Sequence, residues 1–130
     1  MILTTQPFRK VVDLADKLAL FSEHWSPKVV ARLDDHEVKL VKVKGEFVWH
    51  RREEADELFF VIDGTLVIRL RDGDVTLRTG QLFVVPRSVE HCPVAAYGEV
   101  SILIDRDGVV STGSGPESEL TAAYDDSLLS

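Results

Sequence analysis

The 130-residue chain is long enough for one domain with a substantial core and too short for two ordinary ones. With 45% hydrophobic and 28% charged residues it reads as a soluble globular protein, and no apolar run is long enough to span a bilayer. Fifteen basic against twenty-two acidic side chains give a net charge of −7, which repels polyanions and argues against nucleic acid as a partner.

The opening MILTTQPFRK lacks a charged leader, an apolar core and a small-residue cleavage site, so a cytoplasmic location is expected. The single cysteine, Cys92, cannot form an internal disulfide and fits a reducing compartment. Val11, Leu14, Leu18, Phe21 and Trp25 recur at three- and four-residue spacings. That periodicity predicts a helix over residues 10–24, packed on the following structure as part of an N-terminal segment, 1–27. Pro27 then stops it, because proline lacks an N–H and disfavours helical geometry in the residue before it.

From Lys28 to Asp105 the chain turns to short segments rich in Val, Ile, Leu and Phe, broken by turn residues. Asp63-Gly64 and Asp72-Gly73 each separate two such segments, and both predict tight hairpins. In TLVIRLR, Leu66, Ile68 and Leu70 share one face, while Thr65, Val67, Arg69 and Arg71 share the other. Lys39, Lys42 and Lys44 read as a solvated strand face. Gly80 and Pro86 bracket QLFVV, and a last strand is expected over Val100–Asp105. The class is all-β, a sandwich or jelly-roll barrel. Residues 111–130, dominated by Ser, Gly, Thr and acidic residues, read as a polar tail.

Chemistry concentrates in GEFVWHRREEADELFFVIDG, residues 45–64, and at His91. If residues 48–52 are extended, Val48, His50 and Arg52 face one way and Trp49 the other. Glu57 opens the next strand and shares its face with Phe59 and Val61. A carboxylate on so apolar a face needs a metal ion or an arginine, since a buried unpaired charge is costly. His91 shares its face with Pro93 and Ala95, leaving Cys92 on the other side as a poor ligand. His24 and His36 read as surface or capping residues, and Trp25 and Trp49 as packing anchors.

Gly45, His50, Arg52, Glu57 and Gly64, followed by Gly80, Pro86, Ser88 and His91, resemble the two-part cupin signature G…H-x-H-x4-E-x6-G and G-x5-P-x-G-x2-H. Arg52 and Ser88 depart from it. The likeness covers about Asp13 to Gly113 and is to small single-domain bacterial cupins of RmlC-like type, often labelled mannose-6-phosphate isomerase-like. It implies a double-stranded β-helix, the cupin jelly-roll barrel, over residues 28–110, behind an N-terminal α-helix. It also implies frequent homodimers and a motif that lines the open end of the barrel.

Carried over by position, the ligand set of that family falls on His50, Glu57 and His91, with Arg52 in the fourth place. Two imidazoles and one carboxylate suit Fe(II), with Zn, Mn or Ni also admissible. Arginine offers no lone pair, and about 4 Å from a divalent ion it would be repelled by roughly 8 kcal/mol at an effective dielectric near 20. Two readings follow. Either the three ligands keep a metal while Arg52 swings aside and, with Phe59, contacts a small anionic or sugar-like molecule, or Arg52 pairs with Glu57 and the module is metal-free. Whether either form is an enzyme is left open by the sequence.

Overall fold

A computed structural model describes residues 10–106, with side chains through residue 104. The 111–130 tail lies outside the described residues.

Among the described residues one short helix, α1 (Leu14–Leu18), precedes seven strands: β1 (Lys28–Leu33), β2 (His36–Glu46), β3 (Glu57–Asp63), β4 (Thr65–Leu70), β5 (Gly73–Arg78), β6 (Leu82–Val85) and β7 (His91–Arg106). All the pairings are antiparallel, in the order β1-β2-β7-β3-β6, with β4 joining β5 and β7. The all-β jelly roll expected from the sequence is thus present. Its organiser is β7, which merges the expected Val100–Asp105 strand with the segment that begins at His91. Residues 101–105 of β7 lie between β2 and β3, while residues 91–94 pair with β4. One strand therefore belongs to both walls of the barrel.

That arrangement corrects one of the two predicted hairpins. Asp72-Gly73 is a true hairpin, with Leu70 opposite Gly73, but β3 and β4 are not partners. At Gly64 the chain passes from one wall to the other, with φ of 113° and no room for a side chain. A Cβ there would sit 3.0 Å from Val100 Cγ2. Asp-Gly supplied the positive φ correctly; where the chain goes afterwards depends on β7, far away in sequence.

The barrel interior holds Val41, Val43, Phe59, Val61, Leu66, Ile68, Ile102 and Ile104 among others. The alternation read in β4 is borne out, since Leu66 and Ile68 face this core. On the outer face, Phe21, Val30 and Leu40 form a second cluster, against which Leu14 and Leu18 of α1 pack.

The helix itself is five residues rather than fifteen. Asp13 caps it by accepting from Asp16 N at 3.1 Å, and Val11 ahead of it is 87% exposed. Beyond Leu20 the backbone bonds to β2 instead of to itself, with Trp25 N donating to Lys42 O at 2.8 Å and Trp25 at φ of 58°. Phe21 and Trp25, expected on one helical face, consequently pack on opposite sides of the sheet: Phe21 outside, Trp25 inside.

The lysine reading needs a similar correction. Lys39, Val41 and Val43 share the inward face of β2, and Lys39 is only 1% exposed. Lys42 points outward over the Phe21 ring, its Nζ donating to Phe21 O at 2.7 Å. Only Lys44 is exposed, as a solvated face would require.

Candidate functional site

His50 and His91 face each other across a pair of backbone hydrogen bonds, His50 N to His91 O at 3.0 Å and His91 N to His50 O at 2.9 Å. Their rings lie 4.3 Å apart. Glu57, first residue of β3, comes to them from the other wall. The structure therefore brings together the three residues singled out at 50, 57 and 91, all buried, with one potential ligand atom from each within 4.8 Å of the others.

The protons on the two imidazoles can be assigned. Nδ1 of His50 lies 3.0 Å from Val48 O, and Nδ1 of His91 lies 3.0 Å from Val89 O. A carbonyl oxygen only accepts, so each Nδ1 carries a proton, and each ring turns its Nε2, the atom open to a metal, toward the centre of the cluster. Both point at the same carboxylate oxygen: Glu57 Oε1 is 3.1 Å from His91 Nε2 and 3.8 Å from His50 Nε2. His50 Nε2 is buried with no hydrogen-bond partner among the described residues. Three groups able to act as metal ligands thus converge on one point, where a divalent cation could bind all three and where, without one, a proton on His91 Nε2 can be donated to Glu57. Fixing Nδ1–H on a backbone carbonyl is how metal-ligating histidines are usually oriented.

Arg52 is buried at 3% exposure. Around it, the 51–56 link is tied to the turn before β7. Ser88 N donates to Arg52 O at 2.6 Å, Ser88 Oγ to Glu53 Oε1 at 2.8 Å, and Arg87 N to Asp56 Oδ1 at 2.9 Å. The Ser88 hydroxyl, and secondarily Arg51, hold the Glu53 carboxyl below its ordinary range. Ser88 has φ of 70°, the left-handed region in which glycine is favoured. Its hydroxyl-to-Glu53 bond offsets part of that strain.

Beside the triad lies a pocket lined by Trp25, Pro27, Val41, Val43, Phe47, His50, Glu57, Phe59, Pro93, Ile102 and Ile104. It is small, about 40 Å³, which is space for on the order of three waters. Only His50 and Glu57 bring polar groups to it. Phe59 lines it as well as packing edge-on to His91, ring centres 5.8 Å apart. Trp25 and Phe47 stack at 4.5 Å, so Trp25 is a packing anchor that also walls the pocket. Sequence reasoning missed that role because it assigned Trp25 to a helix. Trp49 lies outside, with the Arg71 guanidinium 3.7 Å above its ring. Cys92 points away from the site toward Glu46, and burial, reinforced by Glu46, pushes its thiol up to about 11.

The family described as "Cupin domain" matches residues 37–105. A crystal structure of a cupin-2 domain containing protein from Shewanella frigidimarina NCIMB 400 is 47% identical, with a TM-score of 0.73 over 75% of this chain and 94% of that one. Protein NMB1881 from Neisseria meningitidis is 29% identical, with a TM-score of 0.68 over 75% of this chain and 99% of that one. Among curated proteins, YdbB of Bacillus subtilis (strain 168) is 32% identical over 63 residues, 48% of this chain and 56% of that protein. A 3-hydroxyanthranilate 3,4-dioxygenase of Xanthomonas campestris pv. campestris (strain B100) is 32% identical over 59 residues, 42% of this chain and 34% of the enzyme. The matches thus span between about a third and just over half of these curated relatives.

Proposed function

Because this chain belongs to the cupin domain family, we propose that it holds a divalent metal ion, Fe(II) by preference, on His50, Glu57 and His91, and binds a small ligand in the adjoining pocket. The observation that carries this reading is the convergence of two Nε2 atoms, each with its ring fixed through Nδ1 on a backbone carbonyl, on one buried carboxylate oxygen. Bound there, the ion would supply Lewis acidity or oxygen-activating chemistry, as two-histidine, one-carboxylate sites with open positions do. Likeness to a dioxygenase over 42% of this chain supports the second.

The pocket narrows the ligand. Nine of its eleven lining residues are apolar and none is Arg52, so the body of the ligand is slim and apolar, with an oxygen head such as a carboxylate directed at the ion held by His50 and Glu57. That composition fits a sugar phosphate poorly. The proposal extends to a homodimer formed through β6, an edge strand on which Leu82 and Val84 are exposed. Sedimentation at micromolar concentration tests the dimer.

One observation favours a second reading, a metal-free module. Arg52 is as deeply buried as Glu57, as a guanidinium serving as the cation of the cluster would be. Metal analysis of protein purified without chelator separates the two readings. About one ion per chain supports the first; a trace content that Fe(II), Zn(II) and Mn(II) all fail to restore rejects it.

A further inference from the structure

Trp25 reaches the pocket from the connection between α1 and β1 rather than from a strand. The register of β1 on β2 begins at Lys28 opposite Leu40, so the edge of β2 beyond Leu40 needs another cover. Trp25 supplies it: its N donates to Lys42 O at 2.8 Å and its Nε1 to Lys44 O at 3.0 Å. His24, one residue earlier, bridges to Lys42, and its Nε2 lies 2.6 Å from Glu99 Oε2.

Covering an edge does not by itself require the backbone seen here. Trp25 has φ of 58°, a left-handed geometry that bulky residues rarely adopt and that persists only where surrounding contacts fix it. In that geometry the indole belongs to the inner core and is 9% exposed. It stacks on Phe47 with ring centres 4.5 Å apart, and Phe47 meets the His50 ring edge-on at 5.6 Å. The indole thus stands one ring behind His50, in the path of an apolar chain that starts at the triad.

We propose that Trp25 is the specificity-determining residue of the site, its indole closing the far end of the pocket and setting the greatest length of ligand that fits. This rests on the ligand pocket proposed above. The pocket measures about 40 Å³, space for on the order of three waters. A methylene displaces much the same space as a water, ~30 Å³, so the ligand is a short-chain monocarboxylate with about three carbons beyond its carboxyl group. Because a connection carries this wall, residue 25 changes the length limit while the strands keep His50, Glu57 and His91 in place. Removing the indole would leave a space of the order of 150 Å³, enough in an apolar cavity to accept benzene.

The test is calorimetric titration of the metal-supplemented protein with straight-chain acids from acetate to octanoate, on the wild type, Trp25→Ala and Trp25→Leu. Each methylene that finds apolar surface strengthens binding about fourfold. In the wild type we expect that rise to stop near butanoate or pentanoate and affinity to fall beyond it. Trp25→Ala is expected to carry the rise at least two carbons further, and Trp25→Leu, which keeps an apolar cover should the alanine variant not fold, at least one. An indole that serves packing alone would instead weaken all the acids by a common factor and leave the limit where it was. The same limit in the wild type and in every folded variant therefore overturns the inference while the pocket reading stands, as does a wild-type affinity that climbs without a break to octanoate. If no acid binds the wild type or the variants, the pocket reading is rejected and the role of Trp25 with it.

Discussion

Replacing Glu57 by Gln asks what supplies the cation at the centre of the barrel. The substitution keeps the shape and removes the charge. Its amide group can take the place of Oε1, 3.1 Å from His91 Nε2, its nitrogen donating to a neutral ring or its oxygen accepting from a protonated one. A new hydrogen bond of this kind contributes about 0.5–1.5 kcal/mol, against the loss of whatever the carboxylate held. If a metal is the cation, the wild type gains about 2.7 kcal/mol at a metal concentration one hundred times its Kd. For a 130-residue chain, at roughly 2.1 cal/mol/K of unfolding entropy per residue, that is a rise of about 10 °C in melting temperature. Glu57→Gln should abolish most of this metal-dependent rise and change the chelator-treated protein by less than about 1.5 kcal/mol. If Arg52 is the cation, metal shifts nothing, and breaking one side of a buried ion pair costs about 3–5 kcal/mol. Differential scanning calorimetry of both proteins, with and without Fe(II) or Zn(II), reads the two patterns apart. A large loss in chelator-treated Glu57→Gln, together with a wild type that ignores metal, would refute the metal-centre argument.

Arg52→His puts an imidazole where the ordinary cupin pattern has one and should tighten Zn(II) binding tenfold or more, measured by competition with a chromophoric chelator. Gly64→Ala forces a side chain into positive φ and onto Val100, so a loss of about 1–3 kcal/mol or more is expected in urea unfolding. Cys92, raised to about 11, should resist a thiol reagent at pH 8 in the native protein and react in urea. Its folded state holds the proton longer than the unfolded one does. Its contribution to stability is therefore flat below the unfolded thiol value of about 8.5 and falls as pH climbs from there toward 11, a loss that Cys92→Ala should remove.

The parts of this protein legible in its sequence are those set by short-range rules. Strand alternation placed Leu66 and Ile68 in the core, and Asp72-Gly73 marked a real hairpin. The motif spacing named three residues that the structure brings together. What the sequence did not reveal depends on β7, whose length and double membership follow from pairing over long distances. Without β7, Asp63-Gly64 looks like a second hairpin. The helix over residues 10–24 failed for a related reason: β2 offers Trp25 a backbone partner and the barrel a seat, and together they outweigh local helical periodicity. Lys39 was misread because three lysines in KLVKVK suggest one solvated face, although strand alternation alone puts Lys39 opposite Lys42 and beside Val41.

The two departures from the family pattern are also less independent than they look in sequence. Ser88 occupies a left-handed position suited to glycine, and both polar groups it offers there are used on the 51–56 link: its N–H on the Arg52 carbonyl, its hydroxyl on Glu53. Glycine at 88 would relax the backbone and keep the first bond but lose the second. The loop that carries Arg52 would then lose its side-chain tie to the turn before β7, which presents His91. Serine at 88 is therefore best understood as part of the arrangement that positions Arg52, and any account of the site with Arg52 restored to histidine should treat the two positions together.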